Sequence, residues 1–403
     1  MRTRKALSAL VGALLVGVAA TPTHAQTIRA QQWHLDAMKA DDVWKISTGQ
    51  GITVAVIDSG IERIPELEGQ VLPGKDFAAG RGQYKGDERA DYDKHGTTIA
   101  ALVAGSGRHP SGDGAFGLAP GAEILPIRVP HEYSTTSPSW TAAIRYAADS
   151  DAKIINVSLV TSKDDPDRAD AVKYALSRGK LIFASVGNDG ETTNSVLYPA
   201  ATPGVVGVGA VDHDGVAAKL SQHGPQVDIS APGVDLVTAC ARETGLCTSS
   251  GTSDATALAS ASAALLWSAH PTWTNNQILR VLLNTAGKPV DGAQRNDYIG
   301  YGVVRPRIAL PSPGDPGPPD VSPLPDLAAA EEATAAATAA APPPTPVPPP
   351  GGNTPPPHAP QAAAPVDKGD GSADPSWTAL GLGLAASLLI GGAVTAVRRA
   401  PRR

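Results

Sequence analysis

SSGTSDATALASASAALLW, residues 249–267, is the stretch on which the fold turns. It opens with small hydroxyl residues, a glycine and an acid. Such side chains sit at helix starts because they satisfy the orphan N–H groups there. From Ala255 onward the run is apolar nearly all round, as expected of a helix buried inside a large domain, and it stops at His270-Pro271. Two readings of Ser253 stand at this point. It is a capping residue only, or its hydroxyl is placed for chemistry where the helix dipole favours developing negative charge.

The segments around this helix alternate. GITVAVIDSGI (51–61) reads as a buried, β-branched strand and KHGTTIAALVAG (94–105) as a helix. AEILPIRV is a strand, TAAIRYAADSD a helix, AKIINVSLV (152–160) a strand, AVKYALSRG a helix, and KLIFASVGNDG (180–190) a strand running into a glycine turn. GVVGVGAVD and VDISAPG complete the series. This alternation predicts a three-layer α/β/α domain whose mainly parallel sheet is covered on both faces. In such sheets ligands bind beyond the carboxyl ends of the strands. Asp58 and Asn188 end strands, while His95 and Ser253 begin helices, so all four belong to that one edge.

These residue types form a set. A serine hydroxyl is a weak nucleophile until a base removes its proton. Histidine titrates near neutrality and suits that task. An aspartate fixes the imidazole tautomer and stabilises the imidazolium. An amide donates to the oxyanion, and losing one such donor costs about 3 kcal/mol. Asp58, His95, Ser253 and Asn188 are therefore the expected catalytic residues of an acyl-transfer site that needs no cofactor.

IDSG at Asp58, HGTTIA at His95, ASVGND at Asn188 and SGTSDATA at Ser253 resemble the signature blocks of the subtilases, the subtilisin-like serine proteases. The order Asp, His, Ser is also theirs. The resemblance implies a subtilisin-like α/β/α fold and a protein or peptide substrate. It places Ser158, Leu159, Val160 and Gly187 along the substrate-binding groove. A narrower resemblance, to the mycosins, rests on QQWHLDAMKADDVWKISTGQGITVAVIDSGI and on the organisation of the two ends. It implies limited processing of secreted proteins beside a type VII secretion membrane complex, with a structural role in that complex as the alternative. Three departures from the family pattern stand out. Asp254 follows the nucleophile where an apolar residue is usual, and reads either as an acid opposing the oxyanion or as a solvated first-turn acid. Val160 replaces a glycine and narrows the expected specificity pocket. Ala257 and Thr98 replace a usual proline and histidine.

The chain has 403 residues and a net charge of −6, with nothing to attract nucleic acid. Residues 1–25 have the basic start, apolar stretch and small cleavage-site residue of a secretory signal; an N-terminal anchor is the other reading. Residues 26–50 are too few for a separate prodomain and are expected to pack on the peptidase domain, 51–310. Residues 311–376, rich in Pro and Ala, read as an extended spacer. Residues 377–397 carry no charge and reach about 31 Å as a helix, enough to cross a membrane. The basic tail, 398–403, marks the cytoplasmic side. The expected protein is therefore anchored in the cell membrane by one span, with its catalytic domain outside. In an exported domain Cys240 and Cys247 default to a disulfide, worth about 2–3 kcal/mol; buried free thiols are the alternative. The acidic loop Asp164-Asp165-Pro166-Asp167 lacks the ligand spacing of a calcium loop and reads as solvated charge, and no metal site is expected.

Overall fold

A computed structural model describes residues 27–81, 83–131 and 138–340, all within the first of two units, Met1–Ala341. The expected signal peptide, the membrane span, the basic tail and the linker from residue 341 onward lie outside the described residues. Among the described residues no helix is long and apolar enough to cross a membrane.

Three short helices come first: α1 (Ile28–Gln31), α2 (Trp33–Ala37) and α3 (Ala40–Val43). Then follow β1 (Thr53–Asp58), β2 (Lys75–Asp76), α4 (His95–Ala104), β3 (Glu123–Arg128), α5 (Pro138–Asp149), β4 (Ile154–Val157) and α6 (Pro166–Ser177). The chain continues through β5 (Leu181–Ser185), β6 (Val206–Val211), β7 (Ile229–Pro232), and a hairpin of β8 (Leu236–Ala239) and β9 (Leu246–Ser249). It ends with α7 (Thr252–Ala269), α8 (Asn275–Thr285), α9 (Pro306–Ala309) and α10 (Pro325–Ala340). Strands β1 to β7 form one sheet in the order β2-β3-β1-β4-β5-β6-β7, every pair parallel. This is the mainly parallel α/β arrangement that the strand–helix alternation predicts.

Side chains on β1 show how the layers arise. Successive residues of a strand point to opposite faces. Val54 and Val56 join the core built with α4, α7 and α8, while Ala55 and Ile57 join the core built with α5 and α6. Helix α7 is the central piece of the first core, and every residue from Thr252 to Trp267 is buried. Its hydroxyls meet partners within that core: Thr256 Oγ1 donates to the Thr252 carbonyl, Ser262 Oγ to the Leu258 carbonyl, and Ser260 Oγ to Asn156 Oδ1 on β4. Cys240 and Cys247 are joined by a disulfide across the β8–β9 hairpin.

Both flanking segments lie on the domain. The buried Gln32 donates to the carbonyls of Phe116 (2.7 Å) and Val237 (3.1 Å) and accepts from Phe116 N. Trp33 Nε1 donates to Val234 O, and Trp44 Nε1 to Leu118 O. At the other end, residues 311–324 do not leave as a free spacer. Proline has no N–H to donate, but the carbonyls of this stretch remain acceptors, and α8 supplies the donors. Arg280 binds the carbonyls of Pro316 and Pro318, Gln277 that of Gly317, and Thr274 and Asn276 that of Pro319. Leu324 is buried, and Asp326 accepts from Gly204 N at the start of α10.

His34 is fully buried, and neither ring nitrogen has a hydrogen-bond partner among the described residues. Burial, helped by the Arg29 charge, pushes its pKa down to about 3. Between that value and the ordinary 6.5 the unfolded chain binds the proton that the folded chain refuses. Stability therefore rises with pH across this window, by up to about 1.4 kcal/mol per pH unit. We expect His34→Leu to flatten the fall in unfolding free energy between pH 6.5 and pH 4.5, as read by urea denaturation; equal slopes in both proteins would refute this.

Candidate active site

The sheet brings the four expected residues to its carboxyl edge. Asp58 is the last residue of β1, and His95 the first of α4. His95 Nδ1 lies 2.7 Å from Asp58 Oδ1, which also accepts from Ser59 N at 2.8 Å. Asp58 is buried, whereas a third of the His95 side chain faces solvent. Gly96 makes this approach possible. A Cβ there would lie 2.2 Å from Gly60 O and 3.0 Å from Asp58 Cβ, so any larger residue would force α4 off β1.

Ser253 stands in the first turn of α7. Its hydroxyl donates to the Ser158 carbonyl at 2.9 Å, and Ser158 Oγ donates back to the Ser253 carbonyl at 3.2 Å. Asn156 Nδ2 donates to Ser158 Oγ, tying the end of β4 into the same network. The nucleophile candidate thus points at the strand bearing Ser158, Leu159 and Val160, and among the described residues no hydrogen bond joins it to His95. Hydrogen bonds at unliganded catalytic sites are often misaligned in this way. Leu159 is buried and Val160 half-buried, next to the backbone bridge that joins Thr161 to Tyr198.

Asn188 follows β5. Its Oδ1 accepts from Thr252 N (2.8 Å) and Thr252 Oγ1 (3.0 Å), while Thr252 Oγ1 accepts from Gly187 N. The helix start therefore occupies the oxygen end of the amide and leaves Nδ2 as the free donor. A Cβ on Gly251 would lie only 3.2 Å from that nitrogen, so the glycine before the helix keeps the donor uncovered.

Electrostatics around the imidazole are one-sided. Burial opposes protonation of His95, but the Asp58 charge and hydrogen bond outweigh it, with Asp93 and Asp254 adding to the effect. The pKa rises to about 9. Water on the open third of the ring screens part of this pull. Asp254 is not the solvated first-turn acid of the alternative reading. It is buried, with Oδ2 lacking a partner. Burial pushes its pKa up to about 6, against a hydrogen bond with Ser249 and the His95 charge. In the acidic loop, Asp165 is no solvated charge either: it caps α6 by accepting from Asp167 N and lies 3.8 Å from the buried Arg168.

Three neighbours had no signal in the sequence. Ser59 and Asp91 lie behind Asp58, and the buried Gln222 presses its Oε1 against the face of Gly187, where a Cβ would overlap it. Asp91 stands four residues before His95, yet nothing in one sequence separates it from the other acids of its loop. No group of three or more metal-ligating side chains occurs among the described residues.

The pattern of the Subtilase family matches residues 49–302. The chain is 36% identical over 200 residues to the thermophilic serine proteinase of Bacillus sp. (strain AK1), covering 49% of this chain and 48% of that protein. It is 30% identical over 352 residues to Mycosin-1 of Mycolicibacterium smegmatis, covering 73% and 76% of the two chains. Among solved structures, MycP1 from Mycobacterium smegmatis superposes with a TM-score of 0.63 at 27% identity, over 75% of this chain and 89% of that one. MycP3 protease from the type VII (ESX-3) secretion system gives 0.59 at 30% identity, over 72% and 90%. The chain spans about half the length of the thermophilic proteinase.

A negative group so near the imidazole sets a titration. Replacing Asp254 by Asn removes one of the charges that favour imidazolium, so the His95 pKa should fall, by about half to one unit given the exposed ring. At pH 7 the neutral fraction of His95 would rise severalfold. NMR titration of the imidazole in D254N against wild type checks this, and an unmoved or higher value would refute it.

Proposed function

We propose that this chain, which belongs to the subtilase family, is a serine endopeptidase that uses Asp58, His95 and Ser253, with Asn188 as an oxyanion donor. The observation that carries this reading is the 2.7 Å contact between His95 Nδ1 and the buried Asp58. It holds the imidazole at the sheet edge, in the tautomer whose Nε2 is free to accept a proton.

The steps follow from the chemistry of the groups. Ser253 Oγ leaves the Ser158 carbonyl, gives its proton to His95 Nε2 and attacks the scissile carbonyl carbon. The imidazolium is stabilised by Asp58. The developing oxyanion takes its hydrogen bond from Asn188 Nδ2 and gains from the N-terminal pole of α7. When the C–N bond breaks, His95 returns the proton to the leaving amine. Water, deprotonated by the same imidazole, then releases the acyl group from Ser253. Val160, at the pocket wall where the family usually has glycine, restricts the side chain admitted there and makes the enzyme selective.

The similarity to Mycosin-1, MycP1 and MycP3 supports a narrower reading: limited processing of exported proteins beside a type VII secretion membrane complex. The signal-like 1–25 segment and the uncharged 377–397 segment support an outward-facing domain anchored by one span. A second reading, a structural component of such a complex with a weak site, draws on two observations. The Ser253 hydroxyl is bound to Ser158, and an acid is buried directly after the nucleophile.

A fluorophosphonate probe separates the two. We expect it to label Ser253, faster as pH rises toward about 9, and Ser253→Ala to abolish labelling. Asn188→Ala should lower kcat on a peptide substrate by about 10²–10³ with the fold intact. A chain that stays unlabelled at alkaline pH would favour the structural role.

A further inference from the structure

Behind the His95–Asp58 pair, two carboxylates share one hydroxyl. Ser59 Oγ accepts from Gly96 N at 2.9 Å, which leaves it a single proton to donate. Two acceptors stand in reach: Asp91 Oδ1 at 2.7 Å and Asp58 Oδ1 at 3.1 Å. Asp91 is 4% exposed and held in place by neutral donors. Its Oδ1 accepts from Lys94 N at 2.9 Å, and its Oδ2 from Thr97 N at 2.8 Å and Thr97 Oγ1 at 2.6 Å. Asp58 carries His95 Nδ1 and Ser59 N on Oδ1, and its buried Oδ2 has no partner among the described residues.

We propose that Asp91 is a positioning residue for the reaction: by taking the one proton of Ser59 it keeps that hydroxyl off Asp58, so that the Asp58 carboxylate acts on His95. This rests on the protease reading of the site. A hydrogen bond donated to an ionised carboxylate lowers its basicity, and bonds to a charged acceptor are about twice as strong as neutral ones. A hydroxyl turned onto Asp58 Oδ1 would compete with the imidazole for the same oxygen. The shorter distance favours Asp91 as the acceptor of the proton. Losing the Asp91 charge would reverse that preference, because Asp58 is the only other acid among the described residues that the hydroxyl reaches.

The other charged and titratable groups facing this cluster are few. His95 is faced by Asp58 from β1, by Asp93 from the loop before α4, and by Asp254 from α7. Asp91 is faced by Asp58, and Tyr92 lies near both acids. The Lys94 ammonium is turned to Glu62, 2.6 Å away.

The test is the titration of His95 in the full chain, followed by NMR, with the acid limb of kcat/KM in parallel. We expect Asp91→Asn to lower the His95 pKa by about 0.5–1 unit. Ser59→Ala alone should leave it within about 0.2 unit of wild type, because the proton removed was not on Asp58. In the Ser59→Ala, Asp91→Asn double variant the fall should disappear, since no hydroxyl remains to move. A fall of the same size in the double variant would mean that the lost charge acts through space, and would overturn the proposal. So would an unshifted Asp91→Asn, or a rise in Ser59→Ala. If Asp91→Asn does not fold, the sign of the Ser59→Ala shift decides alone. A wild type with no protease activity would defeat the protease reading, while the NMR titrations would still judge the placement of the proton.

Discussion

One helix with no polar face sets the rest of the structure. From Thr252 to Trp267 α7 has no side that tolerates water, so the domain must surround it. A parallel sheet covers one flank, and α4 and α8 complete the same core. Alanine and serine are small enough to let the helix lie close over the strands, and each serine or threonine hydroxyl that goes inside finds an acceptor. Because α7 is clamped along its length, its first turn is held in place. That turn meets Ser158 at the end of β4 and Asn188 after β5. The reactive end of the molecule is where a rigid, buried element emerges at the sheet edge.

Charge at that edge is concentrated in acids. Asp58, Asp93 and Asp254 face a single imidazole, Asp91 lies behind Asp58, and burial raises the cost of ionising Asp91 and Asp254. This arrangement favours the imidazolium that forms during proton transfer and disfavours the neutral base that must begin it. On the proposed mechanism, the neutral base gains population as pH rises toward about 9. The site's behaviour at neutral pH depends on how the acids divide the available hydrogen-bond donors. Ser59, Thr97 and the backbone N–H groups at the start of α4 make that division.

The two ends of the domain are tied down by backbone acceptors rather than by cores of their own. Gln32, Trp33 and Trp44 each reach a main-chain carbonyl of the domain. The proline-rich exit is held by donors on α8.

Much of this was legible from residue order. Continuous β-branched apolar strands, small-residue helices and their alternation determine a parallel α/β sheet, because such strands must be covered on both faces. The four polar residues at strand ends and helix starts then belong to one edge by topology alone. Composition misled at residues 311–324: a run poor in donors reads as unable to fold, yet carbonyls need only donors supplied from elsewhere, and α8, distant in sequence, meets this run only once the chain has folded. Asp254 was ambiguous for a related reason, since a first-turn acid is exposed or buried according to what packs over it. The roles of Ser59, Asp91 and Gln222 were invisible. The order of residues along a chain settles which groups share an edge; a proton's choice between 2.7 Å and 3.1 Å depends on three-dimensional distances that no single sequence contains.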